Sequence, residues 1–241
     1  MANLLCLTNQ IPRGLPRGHS FFMGVFSIFK SDGQVVNFYD KEIQKHIETV
    51  LGQHSDTVLH STIPFEIMIK REFVRYVIHV LHSTIPFEMG WDIGGGADVY
   101  VYKNVINGEA YLTADLIGKK QGKNTIGNYE LMICLPERQD WGVNLISNLA
   151  YYTIEASLNS GETMDLGGNF LLEDSDITAL IFSKYADFKV KRKKYGILLV
   201  IGITSEELNW AKENGGEELI LKLKEKGVYP MTDLKRKSII H

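Results

Sequence analysis

Apolar residues along this chain switch between helical and strand spacing, and the switches outline its elements. Ile43, Ile47, Val50 and Leu51 fall three and four apart behind Asp40, a residue suited to capping, and Gly52 stands where that helix should stop. From Thr57 to Ile117 the runs shorten: Phe65 to Ile69, Phe73 to Leu81, Ala97 to Tyr102 and Ala110 to Ile117 read as strands. In the last of these, Ala110, Leu112, Ala114 and Leu116 share one face and Tyr111, Thr113 and Asp115 the other, so coverage mainly on one side is expected. Tyr129 to Leu135 is apolar almost throughout and is followed by Pro136, as suits a central strand.

Asp140 opens the longest helical pattern, to about Leu158, with Val143, Ile146, Leu149, Ala150 and Ile154 forming a wide apolar face suited to covering a sheet. Ser160 and Gly161 end it. Beyond a polar loop, Thr178 to Phe182 and Phe188 to Val190 read as two short strands, and Tyr195 to Ile203 as a strand buried on both faces. Thr204 and Glu207 have capping-box spacing at the start of a helix reaching Asn214, and a second helix runs from Glu217 to Lys226 before Gly227. Strands followed by helices, without regular βαβ alternation, predict an α+β fold with a mixed, largely antiparallel sheet covered by helices. Residues 1–37, broken by Pro12, Gly14, Pro16, Gly18 and Gly33, read as a loose extension, leaving residues 38–241 as a single domain, with a two-domain split near Gly161 as the alternative.

Val58 to Glu66 and Val80 to Glu88 are the same nonapeptide, VLHSTIPFE, offset by 22 residues. Two copies with unrelated flanks do not make a repeat architecture. A tandem duplication around residues 58–88 explains them, because deleting either unit leaves a continuous chain with one copy. Both copies then compete for one slot in the sheet.

Composition narrows function without naming it. Lys plus Arg (26) against Asp plus Glu (29) gives a net charge of −3, which argues against a dedicated nucleic-acid binder. Cys6 and Cys134 are the only cysteines, too few for a disulfide framework or a thiolate zinc site, so a reducing cytoplasm is the default setting. Phe21 to Phe29 is short for a secretory core and has no small-residue cleavage site after it, and no run is long enough to span a membrane.

Candidate chemistry fails on spacing. His79 and His82 on a strand would point to opposite faces, and His60 and His82 owe their presence to the duplicated peptide, so no metal is expected. Gly94 to Asp98 lacks the Lys-Ser/Thr ending of a phosphate loop and precedes a strand. Lys189 to Lys194 (KVKRKK) and Lys235 to Lys237 (KRK) read as solvated basic edges. Cys134 lies inside an apolar strand, where a thiol is inert, and no serine has a nucleophile-elbow context. Asp92, Asp98, Asp115 and Glu130 fall in the sheet region, and their convergence would be needed for the alternative reading, a hydrolase-like enzyme with an unrecognised carboxylate site.

YELMICLPE, DWGVNLISNLAYYTIE, YGILLVIGITSEEL and GVYPMTDLKRKSI, in that order over about Lys41 to Ile240, resemble the suppressor of fused domain family, most closely its bacterial single-domain members. The resemblance implies a non-catalytic module that sequesters or neutralises a protein partner, either an extended peptide clasped against a sheet or the cognate toxin of an immunity protein. It implies no cofactor, and the charge balance and lack of a long apolar run leave neither nucleic acid nor membrane expected as a partner. It also places Glu173, Asp174 and Asp176, the acidic stretch after the long helix, at the partner-binding rim.

Overall fold

The computed structural model describes residues 27–29, 41–55, 58–60, 65–69, 72–76, 97, 99–103, 105–114, 116–117, 121, 123–167 and 175–240. Their elements follow in the order β1 (Ser27–Phe29), α1 (Lys41–Leu51), β2 (Val58–His60), β3 (Phe65–Ile69), β4 (Glu72–Tyr76), β5 (Val99–Tyr102), β6 (Glu109–Thr113), β7 (Asn128–Leu135), α2 (Asp140–Glu155), β8 (Thr163–Asp165), β9 (Ile177–Val190), β10 (Lys193–Thr204), α3 (Ser205–Asn214) and α4 (Gly216–Glu225). Eight strands form one sheet in the order β1-β2-β5-β6-β7-β10-β9-β8, and β3 pairs with β4 in a separate ribbon. Among the described strands of this sheet only β7 and β10 run parallel, from Tyr195 opposite Asn128 to Val200 opposite Ile133; the other strand pairings are antiparallel.

Alternation along the central strands sends side chains into two cores. On one face Met132, Cys134, Ile197, Leu199 and Ile201 meet Ile43, Ile47 and Leu51 of α1, Leu208 and Ala211 of α3, and Leu219 and Leu223 of α4. On the other, Tyr111, Leu131, Ile133, Leu198 and Val200 meet Val143, Ile146, Leu149 and Ala150 of α2. Helices on both sides explain why β7 and β10 are apolar almost without a break. The capping box is formed as its spacing predicts: Thr204 Oγ1 accepts from the Glu207 amide at 3.3 Å, and the Glu207 carboxylate accepts from the Thr204 amide at 2.9 Å.

Several readings are corrected. The segment expected to be covered mainly on one side is buried on both, since Tyr111 and Thr113 are as inaccessible as Ala110 and Leu112. Its ladder also stops at Thr113 and does not reach Ile117, because the Glu130 carboxylate takes the Leu116 and Ile117 amides at 2.9 and 2.7 Å and turns the chain away. Two short strands over Thr178 to Val190 are one strand, β9, whose polar middle is carried by its continuous partner β10 with an irregularity at Tyr185. Val50 lies on the flank of its helical stripe and is largely exposed. Ser27–Phe29, within the segment read as an extension, pairs antiparallel with β2. The first VLHSTIPFE copy supplies β2 and the start of β3; the second lies outside the described residues.

Candidate functional site

The sheet ends at β8, and its geometry is set by the turn before it. Leu158 is buried, its amide donating to Tyr129 Oη at 3.0 Å, and Asn159 donates to both Glu162 carboxylate oxygens, from its backbone at 2.9 Å and its side chain at 3.1 Å. Gly161 has φ +81°, which favours glycine, and its carbonyl lies so near Gly216 that a Cβ there would come within 1.9 Å. The N-terminus of α4 is thus packed directly on the turn that launches β8.

β8 is paired on one side. Thr163, Met164 and Asp165 stand opposite Ile181, Leu180 and Ala179, the Phe182 amide donates to the Glu162 carbonyl at 3.0 Å, and the Leu166 amide donates to the Thr178 carbonyl at 3.0 Å. Ladder alternation therefore turns the N–H and C=O groups of Thr163 and Asp165 outward, and among the described residues no strand receives them. Met164 packs into the α2 core, while Asp165 is exposed and its Oδ1 accepts from the Gly167 amide at 2.9 Å.

Of the acidic stretch expected to line a partner site, the described part is its end, where Ser175 and Asp176 lead into β9. Glu173 and Asp174 lie outside the described residues; Asp176 is exposed, and Lys237 Nζ donates to its carboxylate at 2.9 Å. Ser175, buried just before it, donates to the Leu234 carbonyl at 2.9 Å and accepts from the Ile177 amide at 3.2 Å. The acidic stretch thus ends against the C-terminal segment, whose KRK run supplies Lys237. Sequence reasoning missed β8 itself: Thr163, Met164 and Asp165 alternate, but three residues after a polar turn give too short a signal.

The candidate catalytic groups that are described have structural partners. Glu130 is fully buried, and Thr113 Oγ1 donates to it at 2.7 Å beside the two amides already noted. Cys134 is buried and free, its thiol pushed up to about 12 by burial. His46 stacks on Phe188 and His54 on Tyr100, and no cluster of metal-ligating side chains occurs among the described residues. Asp92, Asp98 and Asp115 lie outside the described residues, as do His79 and His82. No helix among the described residues is long and apolar enough to cross a membrane.

Against known proteins, the profile of the family described as suppressor of fused protein matches residues 112–237, a little over half of the chain. A chain of "the Sufu-Fu complex crystal structure" is similar at 14% identity and a TM-score of 0.53, with 82% of this chain and 90% of that one covered. Drosophila suppressor of fused is similar at 12% identity and a TM-score of 0.57, over 81% of this chain and 49% of that protein, so this chain spans about half the fly protein's length. A suppressor of fused homolog from Neisseria gonorrhoeae aligns at 17% identity and a TM-score of 0.48, covering 84% and 97% of the two chains. No curated protein sequence matches. The first two likenesses agree with the α+β architecture.

Proposed function

This chain belongs to the suppressor of fused protein family, and from that premise we propose that it is a protein-binding module that captures an extended segment of a partner at the β8 edge. The observation that carries the reading is the outward-facing backbone of Thr163 and Asp165: an added strand needs unpaired N–H and C=O groups in register and nothing else in the way of chemistry. Asp165 is exposed and gives this end of the sheet acidic character, while Asp176, also exposed, shares its charge with Lys237. In this proposal Glu173 and Asp174 extend that rim, and the acids steer a basic segment while backbone pairing holds it. The name of the Sufu-Fu complex, a partner-bound relative of the same fold, agrees with such a role. We place it in toxin immunity, the setting the family resemblance suggests, with neutralisation by occupation and no turnover of substrate.

The test is capture from the source cell with tagged full-length protein, followed by identification of what is held. Thr163→Pro removes one outward N–H without touching the β9 ladder and is expected to abolish capture, and lysine at 173, 174 and 176 is expected to slow association more than it speeds dissociation. A complex that survives Thr163→Pro refutes the edge. One that survives the triple lysine variant removes the acidic rim. Turnover of a substrate by the purified protein overturns the binding role, and a captured partner without toxic activity overturns immunity.

A further inference from the structure

β8 covers only the first half of β9. Beyond Phe182 the last hydrogen bond on that side among the described residues is Ser160 Oγ accepting from the Lys184 amide at 3.0 Å, and β9 then continues to Val190. At its tip Lys191 and Arg192 have φ 48° and 71°, a two-residue turn of the type that makes Val190 and Lys193 a hydrogen-bonded pair. Counting back along the antiparallel register, Asp187 and Lys189 turn their N–H and C=O groups away from β10. Among the described residues no strand receives them.

The surroundings of this open stretch are basic and walled. A cleft of about 340 Å³ lies between α1 and the end of β9, lined by Glu42, Lys45, His46 and Thr49 on the helix and by Lys189, Val190 and Lys191 opposite. All five cationic residues of the KVKRKK run are exposed here. The nearby acids are engaged: Glu42 lies 3.9 Å from Lys191, and Asp187 3.2 Å from Lys184. The aromatic rings are engaged too, His46 stacked on Phe188 at 5.0 Å and Phe188 against Tyr195 at 5.9 Å, so they offer no open platform for a nucleobase. An open ladder with a cationic rim fits a peptide strand better than a phosphate backbone.

We propose that the outer edge of β9 at Asp187 to Lys189, together with the basic hairpin tip, is a second docking site that receives an extended acidic segment of a protein partner as an added strand. It is separate from the β8 edge, whose rim carries the opposite charge, so the two succeed or fail independently.

The test uses the full chain and a short fluorescent peptide of alternating Glu and Val, with a Lys and Val peptide and a single-stranded oligonucleotide as comparisons. Anisotropy is expected to show binding of the acidic peptide that weakens with salt, falls about tenfold when Lys189, Lys191 and Lys193 are all changed to Glu, and is unaffected by Thr163→Pro. Asp187→Pro removes an outward N–H and the exposed carboxylate paired with Lys184 while leaving the β10 ladder bonds, and because loss of an acid by itself favours an acidic peptide, the expected abolition of binding reports the N–H. Hydrogen exchange on the unaltered protein, which does not depend on any variant folding, is expected to slow at the Asp187 and Lys189 amides when the peptide is added. Equal binding of both peptides, no slowing at these amides, or peptide binding insensitive to Asp187→Pro overturns the proposal, and so does an oligonucleotide that binds more tightly than the acidic peptide.

Discussion

Replacing Arg236 with Met tests how the C-terminal segment is held. Glu207 is completely buried, and its carboxylate accepts four bonds: from Arg236 Nη1 and Nη2 at 2.6 Å each, from the Thr204 amide at 2.9 Å and from the Ile239 amide at 3.0 Å. Arg236, 10% exposed, also donates from Nη2 to the Gly202 carbonyl at 2.8 Å. Met keeps the aliphatic stem and removes the only positive charge bonded to a buried carboxylate, so the loss is expected to be about 3–5 kcal/mol, the cost of stranding one partner of a buried pair. For a chain of this size that lowers the unfolding midpoint by roughly 6–20 °C, at about 2–4 °C per kcal/mol. Urea unfolding with m unchanged is the assay, and Arg236→Met with Glu207→Gln should recover about 1–2 kcal/mol by removing the stranded charge. A single Arg236→Met variant within about 1 kcal/mol of the parent would mean that the pair behaves as an exposed one, and the reasoning fails.

Cys134 should resist thiol labelling in the native protein and react at once after unfolding. Because burial raises its ionisation from the ordinary 9.0 to about 12, the folded state holds the proton longer than the unfolded one. Its contribution is intact below the unfolded value and is lost as pH rises toward the folded one, so stability should fall through that alkaline window, and less so in Cys134→Ala. Deleting residues 67–88 should leave a cooperatively unfolding protein, because β3 and β4 form their own ribbon and no strand of the eight-stranded sheet is cut. Loss of a cooperative transition would refute the duplication reading.

What was legible in the sequence was what repeats over many residues. Tyr195 to Ile203 declared a buried strand because both its faces meet helices, and Thr204 with Glu207 declared a cap because the box is local chemistry. Polar SKYAD in the middle of β9 hid the strand's continuity, since its pairing is dictated by β10 and not by its own pattern. Glu130 looked like a candidate acid, yet it is a clip whose partners arrive from an adjacent strand and the turn beyond it. Of the proposed rim, Asp176 gave no sequence sign of meeting Lys237, 61 residues away. Edges are harder still: β8 is an edge because nothing pairs beyond it among the described residues, and that is a property of the whole sheet.

The parallel pairing of β7 with β10 places that edge on a crossover. Parallel neighbours require a crossover, and residues 136–192, which carry α2, β8 and β9, are that crossover. Closing so long a loop is slow compared with forming the β9–β10 hairpin at its end or pairing β8 with β9, so these local pairings can precede the docking of β10 on β7. Three residue pairs hold β8, against twelve between β9 and β10. β8 is therefore expected to open more readily than the centre of the sheet, and a partner strand arriving there would meet a ladder held by few bonds.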